Sequence, residues 1–235
     1  RMSGDLLNGP TGRVLLLMAT QTYRASAFLE AASRLEVPVA VGSEQPQPLA
    51  HLNPGGHLTI DFHDLESATD RIADFAANYA LDAILSTDDD GVVLAAMASD
   101  ALGLSHNPLL AVRAARDKYQ TRRALAAAGM RTPKYQRFSV DDDPRVAARQ
   151  VGFPCVVKPL VLAASRGVML ADNPDEFVAA FGLLVSILRT VEVSELDPGG
   201  HQILVESYLP GVEVAVEGLL TGGELTVLAI FDKPD

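Results

Sequence analysis

Residues 152–170 read GFPCVVKPLVLAASRGVML. An apolar strand runs into Lys158 and Pro159, a small-residue connection carrying Arg166 follows, and a second apolar segment spans Val168 to Ala171. A plain hairpin closes through two residues such as Asn-Gly or Gly-Gly. This connection is longer and bears a cation at each end. Alternation on the first strand puts Val156 and Lys158 on one face and Cys155 and Val157 on the other. Lys158 is therefore a charge at the end of a mostly apolar strand, at the mouth of the loop. Ala163, Ala164, Ser165 and Gly167 keep the loop thin enough for backbone N–H groups to approach phosphate oxygens, and Arg166 adds a charge-assisted donor. Read by itself, the loop fits a surface hairpin with a snorkelling lysine equally well.

The totals narrow the choice. The chain has 235 residues, 48% apolar and 21% charged, which is the balance of a globular protein with one large or two smaller cores. Net charge is −11 and the pI is about 4.8. Duplex affinity needs many Lys and Arg on phosphates, so nucleic acid is not an expected partner. Any phosphate is held locally by a few cations. The one cysteine, Cys155, lies in the apolar strand and reads as a buried filler rather than a nucleophile. With no internal disulfide possible, a reducing cytoplasm is expected. The early apolar run Val14 to Ala19 is too short for a signal or a membrane span. The ending AIFDKPD stops just after a strand, so a fragment is expected.

The first hundred residues alternate strand and helix, which predicts a parallel sheet with helices on its faces. RVLLLMAT, VPVAVGSE, HLTIDF and DAILSTDDD read as strands. RASAFLEAASRLE places Phe28, Leu29, Ala32 and Leu35 at helical spacing, and LESATDRIADFAANYA does the same for Leu65, Ala68, Ile72, Phe75 and Tyr79. After the first strand the chain reads ATQTYRASAF. It lacks the Gly-x-Gly-x-x-Gly that a dinucleotide's pyrophosphate requires. Residues 105–115 read as a connection, followed by a helix stopped by Gly129. A strand at KYQRFS, a helix from Pro144 to Gly152, and a helix opened by Asn173-Pro174 complete the middle. QILVESYL, VEVAVEGLLT and ELTVLAIFD read as three closing strands, the last two joined by a Gly222-Gly223 turn. Asp90 before Gly91 reads as a helix cap rather than a metal ligand. The five histidines lack ligand spacing.

Three further segments bear charge at telling places. ARDKYQTRRALAAAGM puts Lys118 at a helix start. ILVESYLPGVEVAVEG puts Glu206 near the end of an apolar strand and Glu213 beyond a Pro-Gly bend. Each alone reads as ordinary surface chemistry. In this order and spacing, the Asp-Lys helix start, GFPCVVKP, the thin loop with Gly167-Val168, VESYL and a Gly-x-Glu resemble the ATP-grasp family of carboxylate–amine ligases. The resemblance covers roughly Val112 to Asp235. Residues 13–110 are similar to the α/β domain that precedes ATP-grasp modules in biotin-carboxylase-like and amino-acid-ligase members.

The resemblance implies an α/β fold in three parts: an N-terminal parallel-sheet domain over residues 1–112, an ATP-grasp lid over 113–198, and the opening strands of the larger ATP-grasp subdomain over 199–235. It also implies ATP and Mg2+ as cofactors. Lys118 and Lys158 would contact phosphates, and the loop with Ala164, Ser165, Arg166 and Gly167 would fold over them. Glu206 would accept from the adenine amino group, the Ser207, Tyr208 and Leu209 backbone would line the base, and Glu213 would hold the ribose. Lys233 is a further candidate phosphate ligand. The family's magnesium ligands fall beyond residue 235, so no metal ligand is assigned. The implied reaction activates a small carboxylate as an acyl phosphate for attack by an amine or similar nucleophile. The rival expectation is a nucleotide-binding module without catalysis. No membrane partner is expected, and a homodimer is compatible with the family.

Overall fold

The computed structural model describes residues 13–20, 22–45, 56–160, 162, 165–190 and 198–233. The chain forms two compact units, residues 1–129 and 130–235. Among the described residues, no helix is long and apolar enough to cross a membrane.

The first unit holds a four-stranded parallel sheet in the order β3-β2-β1-β4. The strands are β1 (Arg13–Leu17), β2 (Val39–Ser43), β3 (His57–Thr59) and β4 (Leu81–Ser86). β1 is central, and its continuous apolar run RVLLL fits a strand covered on both faces. One face packs Leu15, Leu17 and Ile84 against Ala68 and Ile72 of α2 (Leu65–Asn78) and Leu94 of α3 (Val92–Ala101). The other carries the smaller cluster of Leu16, Met18 and Val41 beside α1 (Ala25–Arg34). The alternation expected from the sequence is present.

Three details of this unit differ from the sequence reading. α1 forms, but its expected inward row is exposed: Leu29 is 41% and Leu35 73% accessible. Helical spacing fixes which residues share a stripe, not what lies against it. Asp90 is not a cap, because residues 89–91 form a 3₁₀ turn and the residue at the N-cap of α3 is Gly91, which has no side chain to cap it. Residues 105–115 are not a plain connection. They include α4 (Leu109–Arg116), a helix of eight residues entered through Pro108. Such a length leaves too few turns for a periodic signal.

α5 (Lys118–Ala127) follows after Asp117, whose carboxylate caps it by accepting from the Tyr119 and Gln120 amides. Gly129, at φ +72°, ends this segment in the left-handed conformation that glycine adopts most easily.

The second unit holds a four-stranded antiparallel sheet in the order β5-β8-β6-β7. It comprises β5 (Tyr135–Ser139), β6 (Cys155–Pro159), β7 (Met169–Ala171) and β8 (Gln202–Ser207). One face buries Phe138, Cys155, Val157, Ile203 and Val205 against Phe177, Phe181, Leu184 and Leu188 of α7 (Pro174–Leu188). Fourteen buried side chains in this cluster, several aromatic, make α7 the element that fixes the sheet. Asn173 caps α7 by accepting from the Glu176 amide, with Pro174 in the first turn, as the sequence indicated. α6 (Pro144–Ala147) is much shorter than the helix expected to reach Gly152.

β9 (Val214–Thr221) and β10 (Glu224–Asp232) form a separate two-stranded hairpin. Gly222 and Gly223 turn it with φ of 60° and 87°, the sign a type I′ turn requires at both positions. Its apolar side chains, among them Val216, Leu219, Ile230 and Phe231, are exposed.

Candidate functional site

Lys158 and Glu206 meet. β6 and β8 run antiparallel with Lys158 opposite Leu204 and Val156 opposite Glu206, so the two charged residues are diagonal neighbours on the same face. That spacing is within reach of long side chains. Lys158 Nζ donates to Glu206 Oε2 at 2.5 Å. The pair is largely withdrawn from water, the side chains being 14% and 6% exposed. The alternation that buries Cys155 and Val157 against α7 turns this pair to the opposite face. Its proximity had no sequence signal: the partners are 48 positions apart, and only the β6–β8 register brings them together.

The end of β8 is tied to its neighbours through the backbone. The Ser207 amide donates to the Lys134 carbonyl at 2.8 Å, and the Lys134 amide donates to Ser207 Oγ at 3.1 Å. The Tyr208 amide donates to the Pro154 carbonyl at 3.1 Å. Of the three residues expected along the base, Ser207 and Tyr208 thus have their N–H groups engaged. A cavity of about 480 Å³ opens beside this end of the sheet, lined by Lys134, Gln136, Gln150, Phe153, Glu206 and Ser207 among others.

The connection between β6 and β7 is anchored at its far end. Ser165 and Gly167 both have positive φ, 57° and 76°, and the Val168 amide donates to the Ser165 carbonyl. A Cβ on Gly167 would stand 2.9 Å from Leu184 Cδ1. Gly167 therefore serves both the backbone twist and the close approach to α7. Ser165 and Arg166 are exposed. Ala164 lies outside the described residues.

Glu213 precedes β9, is mostly exposed, and forms an ion pair with Lys233; the Lys233 amide also donates to the Glu213 carbonyl at 3.2 Å. Lys118 opens α5 in the first unit and is partly buried.

Cys155 is buried and apolar surroundings raise its thiol pKa, so it is structural, as its sequence context indicated. The aspartate run is occupied by ion pairs and hydrogen bonds. Asp88 accepts from Thr22 and Thr87 hydroxyls at 3.0 and 2.8 Å, with Arg24 at 3.6 Å, and Asp89 and Asp90 face Arg116. Among the described residues, no three His, Cys, Asp or Glu side chains are grouped to hold a metal.

Residues 151–235 match the ATP-grasp domain model and residues 29–106 the ATP-grasp N-terminal domain model. A parallel α/β unit followed by an antiparallel sheet that joins a lysine to an acid thus accompanies two partial matches, both to domains of the ATP-grasp family, and the chain is similar to that family over these segments. Alanine–anticapsin ligase of Bacillus subtilis is 28% identical over 180 residues, covering 72% of this chain and 38% of the relative. The L-amino acid ligase of Bacillus licheniformis shares the fold with a TM-score of 0.77 at 23% identity, over 96% of this chain and 54% of that one. N5-carboxyaminoimidazole synthetase of Staphylococcus aureus, solved with ADP, superposes with a TM-score of 0.66 at 13% identity, over 97% and 57%. The chain thus spans between 38% and 57% of the length of these relatives. Lys158, Ser165 to Gly167, Glu206 to Leu209 and Glu213 fall within the matched ATP-grasp segment, while Lys118 falls between the two matches.

Proposed function

We propose that the protein carrying this chain is an ATP-dependent ligase that activates a small carboxylate as an acyl phosphate for attack by an amine or similar nucleophile. Similarity to the ATP-grasp domains and to ligases such as alanine–anticapsin ligase supports the reaction class. The observation that carries the site is the Lys158–Glu206 pair, a cation and an anion side by side on the sheet face opposite α7. A lysine donor beside a carboxylate acceptor complements the edge of adenine, which offers the N7 acceptor next to the N6 amino donor. Guanine has a second acceptor at that place and would meet Glu206 with repulsion. Lys158 serves the phosphates as well, together with Lys118, as fixed positive charge for the transferred group.

The remaining roles follow the same reading. The loop through Ser165, Arg166 and Gly167, with Ala164, closes over the phosphates and excludes water that would hydrolyse an acyl phosphate. Because the Ser207 and Tyr208 amides are engaged, the Leu209 amide and the neighbouring carbonyls contact the base. Glu213 takes the ribose hydroxyls, with Lys233 beside it. The β9–β10 hairpin opens the larger subdomain. Its exposed apolar side chains favour further strands packing there. The magnesium ion expected of this chemistry finds no three-residue ligand set among the described residues.

The test is nucleoside diphosphate release by the whole protein, ADP from ATP or GDP from GTP, screened over pairs of amino acids and small carboxylic acids. Substrate-dependent ADP release from ATP, at least tenfold faster than GDP release from GTP, is expected. Nucleotide turnover that no carboxylate stimulates refutes the ligase reading.

A further inference from the structure

α4 and α5 meet at a one-residue corner. Asp117 is extended, at φ −109° and ψ 110°, and the corner contains neither glycine nor proline. Backbone hydrogen bonds span it, from the Asp117 amide to the Ala114 carbonyl at 3.3 Å and from the Thr121 amide to the Asp117 carbonyl at 2.9 Å, and side-chain contacts add to them. Two of these side-chain contacts are local. Asp117 Oδ1 caps α5 at 2.8 and 3.1 Å, and Thr121 Oγ1 donates to the Ala114 carbonyl at 2.7 Å. The third is long-range: Arg116 Nη1 lies 3.2 Å from Asp89 Oδ2, and Nη2 lies 3.5 Å from Asp90 Oδ1. Those aspartates sit on the 3₁₀ turn after β4, at the carboxyl end of the parallel sheet. The arginine is the better buried partner, 25% exposed against 64% and 60%.

We propose that Arg116, clasped by Asp89 and Asp90, is a positioning residue that aims Lys118 at the nucleotide phosphates. The inference rests on the nucleotide reading of Lys118 given above. Lys118 is the first residue of α5, one residue past Asp117, so the direction of its stem follows the corner. The clasp also accounts for the aspartate run, which neither caps α3 nor gathers a three-residue metal site. Asp88 holds Arg24, Thr22 and Thr87, while Asp89 and Asp90 hold the corner. A displaced lysine loses phosphate affinity even where the helix itself is intact.

The experiment is calorimetric titration of ADP into the whole protein, with Arg116→Gln, Lys118→Ala and the double variant. Arg116→Gln is expected to weaken ADP about fivefold at low salt, equivalent to about 1 kcal/mol. Added salt should shrink the difference, because partly exposed ion pairs are screened. In the Lys118→Ala background the Arg116 substitution should change nothing further, since it acts through that lysine. Arg116→Lys, which keeps the charge and the fold, should recover most of the affinity. Equal fivefold losses in both backgrounds overturn the positioning role, as does an unchanged affinity in Arg116→Gln when Lys118→Ala is impaired. If Lys118→Ala itself binds ADP like the parent, the nucleotide role of Lys118 fails, and the clasp proposal with it.

Discussion

Lys158→Met isolates the feature on which the site depends. The substitution keeps a long unbranched stem but takes the ammonium away from a carboxylate that is only 6% exposed and stays in place on β8. Breaking one side of a buried ion pair costs about 3–5 kcal/mol, because the remaining charge has lost both its hydration and its counter-charge. The pair is not wholly sealed, so about 3 kcal/mol is the expected loss. For a unit of this size that corresponds to a fall in melting temperature of roughly 12–24 °C. Removing both charges, as in Lys158→Met with Glu206→Leu, should restore most of the stability, since well-packed apolar pairs replace buried ion pairs at little cost. Native-state hydrogen exchange on the β6 and β8 amides reads the loss locally, and calorimetry reads it for the unit. A double-variant coupling energy near zero, with Lys158→Met as stable as the parent, would show that the two side chains do not meet. The purine-edge reading would then have no basis.

Gly167→Ala must place a Cβ 2.9 Å from Leu184 and hold φ near +76°, so about 1–2 kcal/mol of stability should be lost in urea unfolding. Adding Leu184→Ala removes the clash but not the backbone strain, and should not recover that loss. Cys155 should resist thiol reagents at neutral pH until the second unit opens, because burial both hides the thiol and raises its pKa. Labelling at the rate of a free thiol would place it outside the core. His57, whose pKa is lowered by burial, accepts a hydrogen bond from Ser43 or donates one to it at 3.0 Å. A base with a depressed folded-state pKa binds more protons when unfolded, so stability should fall as pH drops through about 6.5. In His57→Asn that part of the pH dependence should flatten, as measured by melting temperature between pH 8 and pH 5.

Much of the architecture is legible from local patterns. The strand–helix alternation of the first unit, the Asn173 cap and the Gly222-Gly223 turn each depend on a few neighbouring residues. Their physics is local hydrogen bonding and backbone geometry, so they survive in any sequence reading. The misreadings share a cause as well. Asp90 resembles a cap, but a 3₁₀ turn and an arginine two dozen positions away compete for it. The apolar row of α1 looks like a core face, but nothing within the first unit buries Leu35 deeply.

For the candidate site, the sequence by itself determined that Lys158 faces away from the core. Strict two-residue alternation leaves it no other side once Cys155 and Val157 are inside. It also determined that Glu206 ends a buried strand. Only the tertiary structure decided that these two are partners. Strand order and register are set by how whole sheets bury their apolar faces under α7, a many-residue packing that no local spacing encodes. The same holds for the Arg116 clasp, where the corner between two helices is closed by a turn from a different part of the chain.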